Sequence, residues 1–228
     1  MKKIILLGSA LLMSTTVLFA QSTMSGSDAR IGIKAGVNLS TIRASGFDGA
    51  KAINDATKQN VGYNFTVFGD FGVGNNFFIQ PGISLQNKGT KLQNTTAGIT
   101  TEATANIMAI EVPVNAVLRI PTGSSGAFHL NAGPYIGFNV AGKVKTKVSG
   151  GTASGTTEED LKFGSRSEDD FASTDFGANF GVGYRMASGF MLGANYGMGL
   201  TNLQPKADRS GDSKATNRVW GFSLGYSF

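Results

Sequence analysis

The sequence predicts an all-β fold: an eight-stranded, antiparallel, up-and-down transmembrane β-barrel that follows an N-terminal signal peptide. Three observations predict it. Large apolar residues recur at every second position in eight separate stretches, the period of a strand with two unlike faces. The positions between them hold Gly, Asn, Ser and Thr more often than Lys or Glu, so the second face is too poor in charge to meet water. The connections alternate between short and long, as they do in barrels that cross a membrane. Glycine supplies 32 of 228 residues without a collagen period, and only 15% of residues are charged. The mean hydropathy of −0.02 averages over this alternation, so a search for apolar helices misses it.

Residues 1–20 read as a signal peptide. Lys2 and Lys3 precede an apolar run from Ile4 to Phe19, and Ala20-Gln21 is a plausible cleavage point. Residues 21–29 are expected to form a short periplasmic segment and residues 30–228 the barrel domain. Without Lys2 and Lys3, 18 basic residues face 15 acidic ones, too mild an excess for a nucleic-acid partner. The absence of cysteine excludes disulfides and thiolate metal sites, and a single histidine, His129, excludes multi-histidine sites. No cofactor and no metal are expected.

The strands follow in order. Ile31, Ile33, Ala35, Val37 and Leu39 alternate with Gly32, Lys34, Gly36 and Asn38. Val61, Tyr63, Phe65, Val67 and Phe71 alternate with Gly62, Asn64, Thr66 and Asp70. In the third, Phe77, Ile79, Ile83 and Leu85 alternate with Phe78, Gln80, Gly82 and Ser84. The fourth sets Ile110, Val112, Val114, Ala116, Leu118 and Ile120 against Glu111, Asn115 and Arg119. Phe128, Leu130, Ala132, Ile136, Phe138 and Val140 alternate with His129, Asn131, Gly133 and Gly137. Phe176, Ala178, Phe180, Val182 and Tyr184 alternate with Asp175, Gly177, Asn179, Gly181 and Gly183. Phe190, Leu192, Ala194, Tyr196, Met198 and Leu200 alternate with Gly193, Asn195, Gly197 and Gly199. The last strand, Trp220-Gly-Phe222-Ser-Leu224-Gly-Tyr226-Ser-Phe228, is apolar on one face and nearly bare on the other. Each strand has the roughly ten residues that a tilted crossing requires.

Residues 72–76, 121–126 and 186–189 read as tight turns, and 41–60, 89–105, 141–173 and 201–216 as four long polar loops. Short turns face the periplasm in such barrels, so both termini are expected there and the four loops outside. In hydrocarbon a sheet must close to satisfy its backbone, and eight strands close around side chains rather than around a channel. Pro81, Pro113 and Pro134 fall inside strands, where each removes a ladder donor, and bulges are expected at them.

Several segments are similar to the outer-membrane β-barrel ("porin family") domain common in Bacteroidetes. They are Gly32-Ile33-Lys34-Ala35-Gly36-Val37-Asn38-Leu39-Ser40, Gln80-Pro81-Gly82-Ile83-Ser84 with Lys88-Gly89, and Ile110-Glu111-Val112-Pro113-Val114-Asn115. Gly133-Pro134-Tyr135, Asp175-Phe176-Gly177, Tyr196-Gly197-Met198-Gly199-Leu200-Thr201-Asn202-Leu203 and the closing Leu224-Gly225-Tyr226-Ser227-Phe228 continue the series. The resemblance spans residues 30–228. It implies an outer-membrane location and strand prolines at Pro81 and Pro113, and it brings no catalytic residues.

The residues expected to matter lie on the inner face: Lys34, Asp70, Glu111, Asn115, Arg119, Asp175 and Arg185, a polar network that plugs the barrel, since unpaired charges in so small a lumen are costly. Trp220, Phe222, Leu224, Tyr226 and Phe228 are expected to form the C-terminal insertion signal. The acidic run Glu158-Glu159-Asp160 and the later Glu168-Asp169-Asp170 read as a solvated loop, with a divalent-ion site as the weaker alternative. His129 follows a tight turn at the periplasmic mouth, away from where a surface hydrolase would act, so no enzymatic activity is expected.

The expected function is structural or interactive, in the envelope and through the outer loops. Expected partners are outer-membrane lipid and lipopolysaccharide, the barrel-assembly machinery during insertion, and an extracellular ligand of the loops. The rival readings are a narrow porin-like channel for small solutes or ions, an outer-membrane enzyme, and a soluble calyx. The calyx needs a charged exterior that this sequence lacks.

Overall fold

A computed structural model of the chain describes residues 29–150, 154–209 and 211–228. The expected signal peptide and most of the expected periplasmic segment 21–29 lie outside the described residues. The chain forms β1 (Arg30–Ser45), α1 (Ala50–Ala56), β2 (Thr57–Lys58), β3 (Asn60–Gly74), β4 (Phe77–Thr96), β5 (Ile99–Pro121), β6 (Gly126–Ser149), β7 (Gly155–Asp160), β8 (Thr174–Met186), β9 (Phe190–Gly199) and β10 (Lys214–Ser227).

Every strand pairing is antiparallel. The order runs β4-β3-β1-β10-β9-β8-β6-β5 and returns to β4, so the sheet closes into a ring. The closing pair joins the first and last strands, with Ile33 opposite Tyr226 and Leu39 opposite Trp220. Ten strands are present among the described residues, against the eight expected. The two others stand off the ring: β2 pairs β4 only at Thr57 and Lys58, and β7 pairs β6 alone. Neither has an apolar face, and β7 is exposed along its whole length, so neither carries the alternation that marks the rest.

The burial pattern is inverted relative to a water-soluble protein. Asp70, Ser40, Asn38 and Asp175 are at most 1% exposed, whereas Val61, Phe190 and Val182 are 67%, 59% and 56% exposed. Polar side chains fill the ring and aliphatic and aromatic ones coat it, which is stable only where hydrocarbon replaces water outside. On β5 the outward apolar series runs from Ile110 to Ile120. At about 3.3 Å per residue and a tilt near 40°, it spans the ~25 Å apolar band of a transmembrane barrel. Aromatic pairs cluster toward the tight turns, Phe128 with Tyr184 and Phe190 with Tyr226, ring centroids 4.9 and 5.2 Å apart. Amphipathic rings prefer this boundary between apolar and wet surroundings.

The three tight turns lie where expected, with Asn76 and Gly189 at positive φ (66° and 93°). Residues 89–105 are a correction. They continue β4 and β5 as a hairpin closed by Ala97 and Gly98, both at positive φ (50° and 78°), so there is no loop there. Likewise β6 runs on to Ser149 with β7 beside it. The Thr-rich composition of these stretches reads as loop, but their ladder continues above the apolar band because each strand finds a partner.

The expected bulges at Pro81, Pro113 and Pro134 are also corrected. Register shifts occur at Gly72/Gly74 and Met108/Ala109 instead. Each proline coincides with a two-pair gap in one ladder, after which the pairing resumes unshifted, for example from Pro81–Val114 to Ser84–Glu111. The missing donor is absorbed by skipping pairs rather than by inserting a residue.

Candidate functional site

The inward half of each strand assembles two charged clusters on the axis of the ring. At the tight-turn end, Asp70 of β3 is ion-paired with Arg119 of β5 and accepts a hydrogen bond from Gln80 Nε2 at 2.7 Å. The Arg119 guanidinium lies 3.7 Å from the centroid of the Phe78 ring, and Lys34 Nζ lies 4.5 Å from that of Phe68. Lys34 donates to Gln80 Oε1 at 3.1 Å. Ladder pairing places His129, buried, opposite Arg119 and against the bare backbone of Gly183.

At the other end, Lys88 of β4 is ion-paired with Glu111 of β5 and approaches Asp175 Oδ2 of β8 at 3.3 Å. Asp175 Oδ2 also accepts from Tyr135 Oη at 3.1 Å and Asn217 Nδ2 at 2.8 Å. Lys88 Nζ stands 4.9 Å from the centre of the Tyr135 ring. One carboxylate oxygen with three donors and one ammonium with two carboxylates offset much of the cost of burying these charges, while Asp175 Oδ1 and Asn217 Oδ1 are left without a hydrogen-bond partner.

A cavity of about 90 Å³ lies between the clusters, walled by Asn38, Asn64, Asn115, Asn131, Asn179 and Asn195 with hydroxyls from Thr66 and Ser84. Asn64 Nδ2 donates to Asn38 Oδ1 and Asn38 Nδ2 to Gln86 Oε1, both at 2.8 Å. Above Lys88 the mouth is roofed by chain from the two long connections. Leu203, fully buried, passes its carbonyl to Ala172 N–H at 2.8 Å and takes Ala215 O at 2.8 Å. Leu161 N–H bonds Gly142 O at 2.9 Å.

The inner-face residues singled out from sequence are therefore distributed as follows. Asp70 and Arg119 meet each other; Glu111 and Asp175 meet through Lys88; Asn115 is buried in the cavity wall; Lys34 and Arg185 are half-buried, with Arg185 Nε lacking a hydrogen-bond partner. Lys88, Gln80, Tyr135 and Asn217 are not among the residues singled out from sequence, although alternation puts Gln80 on the inner face. The signal for Lys88 was present, because it continues the even-numbered inward series Gln80, Gly82, Ser84 and Gln86. Tyr135 fits the inward phase between Gly133 and Gly137, but its size argues for lipid. Of the C-terminal set, Trp220, Phe222, Leu224 and Phe228 are exposed, with Tyr226 packed against Phe228 at 5.1 Å.

The acidic runs are used locally. Asp169 and Asp170 accept the N–H groups of Arg166 and Lys162, each at 2.8 Å, and Lys143 bonds Glu158 at 2.6 Å and holds that exposed carboxyl below its usual range. No cluster of three metal-ligating side chains occurs among the described residues.

Glycine fits the crowded interior at Gly177, where an added Cβ would meet the backbone carbonyl oxygen of Met198 and stand 2.5 and 2.6 Å from atoms of the Tyr135 ring. Gly177→Ala is expected to displace that ring, break its bond to Asp175 and cost about 1–3 kcal/mol, read by urea unfolding in detergent. In a Tyr135→Phe background, with the bond to Asp175 already absent, the alanine should cost less. An equal cost in both backgrounds would contradict this role.

The family described as outer membrane protein beta-barrel domain matches residues 19–204. No curated protein matches the chain. Among solved structures it is similar to Ail, the attachment invasion locus protein of Yersinia pestis (14% identity, 88% of this chain and 99% of that one, TM-score 0.40). Others are Neisserial surface protein A (11%, 88% and 99%, 0.42) and the outer membrane protein OprG of Pseudomonas aeruginosa (14%, 88% and 96%, 0.39).

Proposed function

The chain belongs to the outer membrane protein beta-barrel domain family, and from that premise we propose that it is an eight-stranded up-and-down barrel of the bacterial outer membrane, with a sealed lumen. Its role is structural or interactive, exercised by the segments on the long-connection side, and no catalysis is assigned to it. The observation that carries the sealed reading is Lys88. Tied to Glu111 on β5 and to Asp175 on β8, it crosses the lumen under the Leu203 roof, while Asp70 and Arg119 occupy the opposite end. An ion passing either cluster must break a buried pair, at several kcal/mol.

The tight turns and both termini face the periplasm in this reading. The β4–β5 hairpin, β6 with β7, and the two roofing segments face outward, where partners of the cell surface and lipopolysaccharide are met. The last strand, with Trp220, Phe222, Leu224, Tyr226 and Phe228, serves recognition by the assembly machinery.

The test is electrical. Purified protein in planar bilayers is expected to give no steady conductance above the lipid blank. Steady conductance that Glu111→Ala or Arg119→Ala changes would replace the sealed reading by a narrow pore. Extraction from cells by detergent, but not by high salt or carbonate, checks the membrane placement separately.

A further inference from the structure

We propose that the chamber between the two charged clusters binds one small monovalent inorganic anion of halide size, held by Lys34. Three observations converge on it. The first is charge. Lys34 points inward, touches Gln80 Oε1 and the Phe68 ring, and has no carboxylate within ion-pair distance among the described residues. Asp70, the carboxylate of this cluster, is already taken by Arg119 and Gln80 Nε2. Lys34 and Arg119 are thus two cations against one carboxylate. At the other cluster Lys88 faces both Glu111 and Asp175, one cation against two carboxylates, so the negative excess lies at that end of the chamber and the positive excess at the Lys34 end. Even half-buried, an ammonium in the lumen without a counter-ion is costly, and an anion beside it reduces that cost.

The second observation is an unsatisfied group. Asn115 is 8% exposed, lines the chamber, and has no hydrogen-bond partner for Oδ1. It sits opposite Gln80 in the β4–β5 ladder, at the level of Lys34. The oxygen and nitrogen of a carboxamide exchange by a half-turn, after which Asn115 offers two N–H donors to an anion.

The third is size and lining. About 90 Å³ accommodates a halide and a few waters but no large organic anion; at the far end the wall carries Lys88 and Glu111, paired with each other, and around Lys34 it is mainly neutral carboxamide and hydroxyl. One negative charge balances Lys34; a divalent anion would leave a net charge buried.

The experiment compares thermal unfolding of the purified protein in detergent, in sodium chloride and in sodium gluconate at equal ionic strength. Wild type and the exposed-surface control Lys143→Met are expected to melt several degrees higher in chloride, and Lys34→Met at the same temperature in both salts. Crystals of protein refolded in sodium iodide, so that the anion is enclosed as the ring closes, are expected to show anomalous density beside Lys34 and Asn115. Equal melting of the wild type in the two salts, or a chloride effect that survives Lys34→Met, overturns the site and leaves the chamber to water. Should Lys34→Met fail to refold, the crystals of wild type refolded in iodide decide alone: density in the chamber supports the site, and its absence overturns it.

Discussion

Asp70→Ala is expected to destabilise the barrel by about 3–5 kcal/mol, because it strands the Arg119 guanidinium in the lumen with its counter-ion removed. Asp70 is fully buried and Arg119 is 9% exposed, so solvent cannot compensate in place. Gln80 Nε2 loses its acceptor in the same substitution. Urea titration in detergent, read by Trp220 fluorescence, measures the loss. The double variant Asp70→Ala/Arg119→Met should recover most of it, since the guanidinium that lost its counter-ion is then gone and the methionine still covers Phe78. Breaking an exposed pair instead, as in Glu158→Ala against Lys143, should cost no more than about 1 kcal/mol. A single-variant loss below that exposed-pair value would mean that water reaches Arg119, and the sealed reading would fail with it.

Phe222→Arg is expected to cost about 2–4 kcal/mol when folding is measured into lipid vesicles. Phe222 is 46% exposed on the outer face, opposite Val37 of β1 and Ala194 of β9, between the Tyr226 aromatic cluster and Arg218. Tyr196→Arg, on the neighbouring strand beside Trp220, should behave alike. The same change at Thr156, on the exposed strand β7, should be within about 0.5 kcal/mol of neutral. Equal costs at Phe222 and Thr156 would show that the apolar coat does not meet hydrocarbon.

Legibility in the sequence followed the period of two. Where one face had to be apolar, as from Ile110 to Ile120, the strand, its register and its inward residues all followed from alternation, because a slip by one residue would turn Glu111 and Arg119 into lipid. Where no such face exists, the signal vanished. The β4–β5 hairpin past Gly89 is Thr- and Asn-rich on both sides, so it resembled a loop although its backbone is fully paired. The same blindness hid β2 and β7. Proline misled differently. A missing N–H predicts a fault in the ladder but not its form, and the form here is a skipped pair of rungs at Pro81, Pro113 and Pro134.

The sequence by itself determined an all-β chain, closure of its sheet, and which side of each ribbon is apolar, since these depend on local composition and on the rule that backbone in hydrocarbon must be paired. Only the tertiary structure decided who partners whom across the lumen. Lys88, Glu111 and Asp175 are distant in the chain, and their meeting depends on the stagger of β4, β5 and β8 around the ring. Stagger is a property of the closed sheet as a whole, set jointly by all its ladders, and no single strand encodes it.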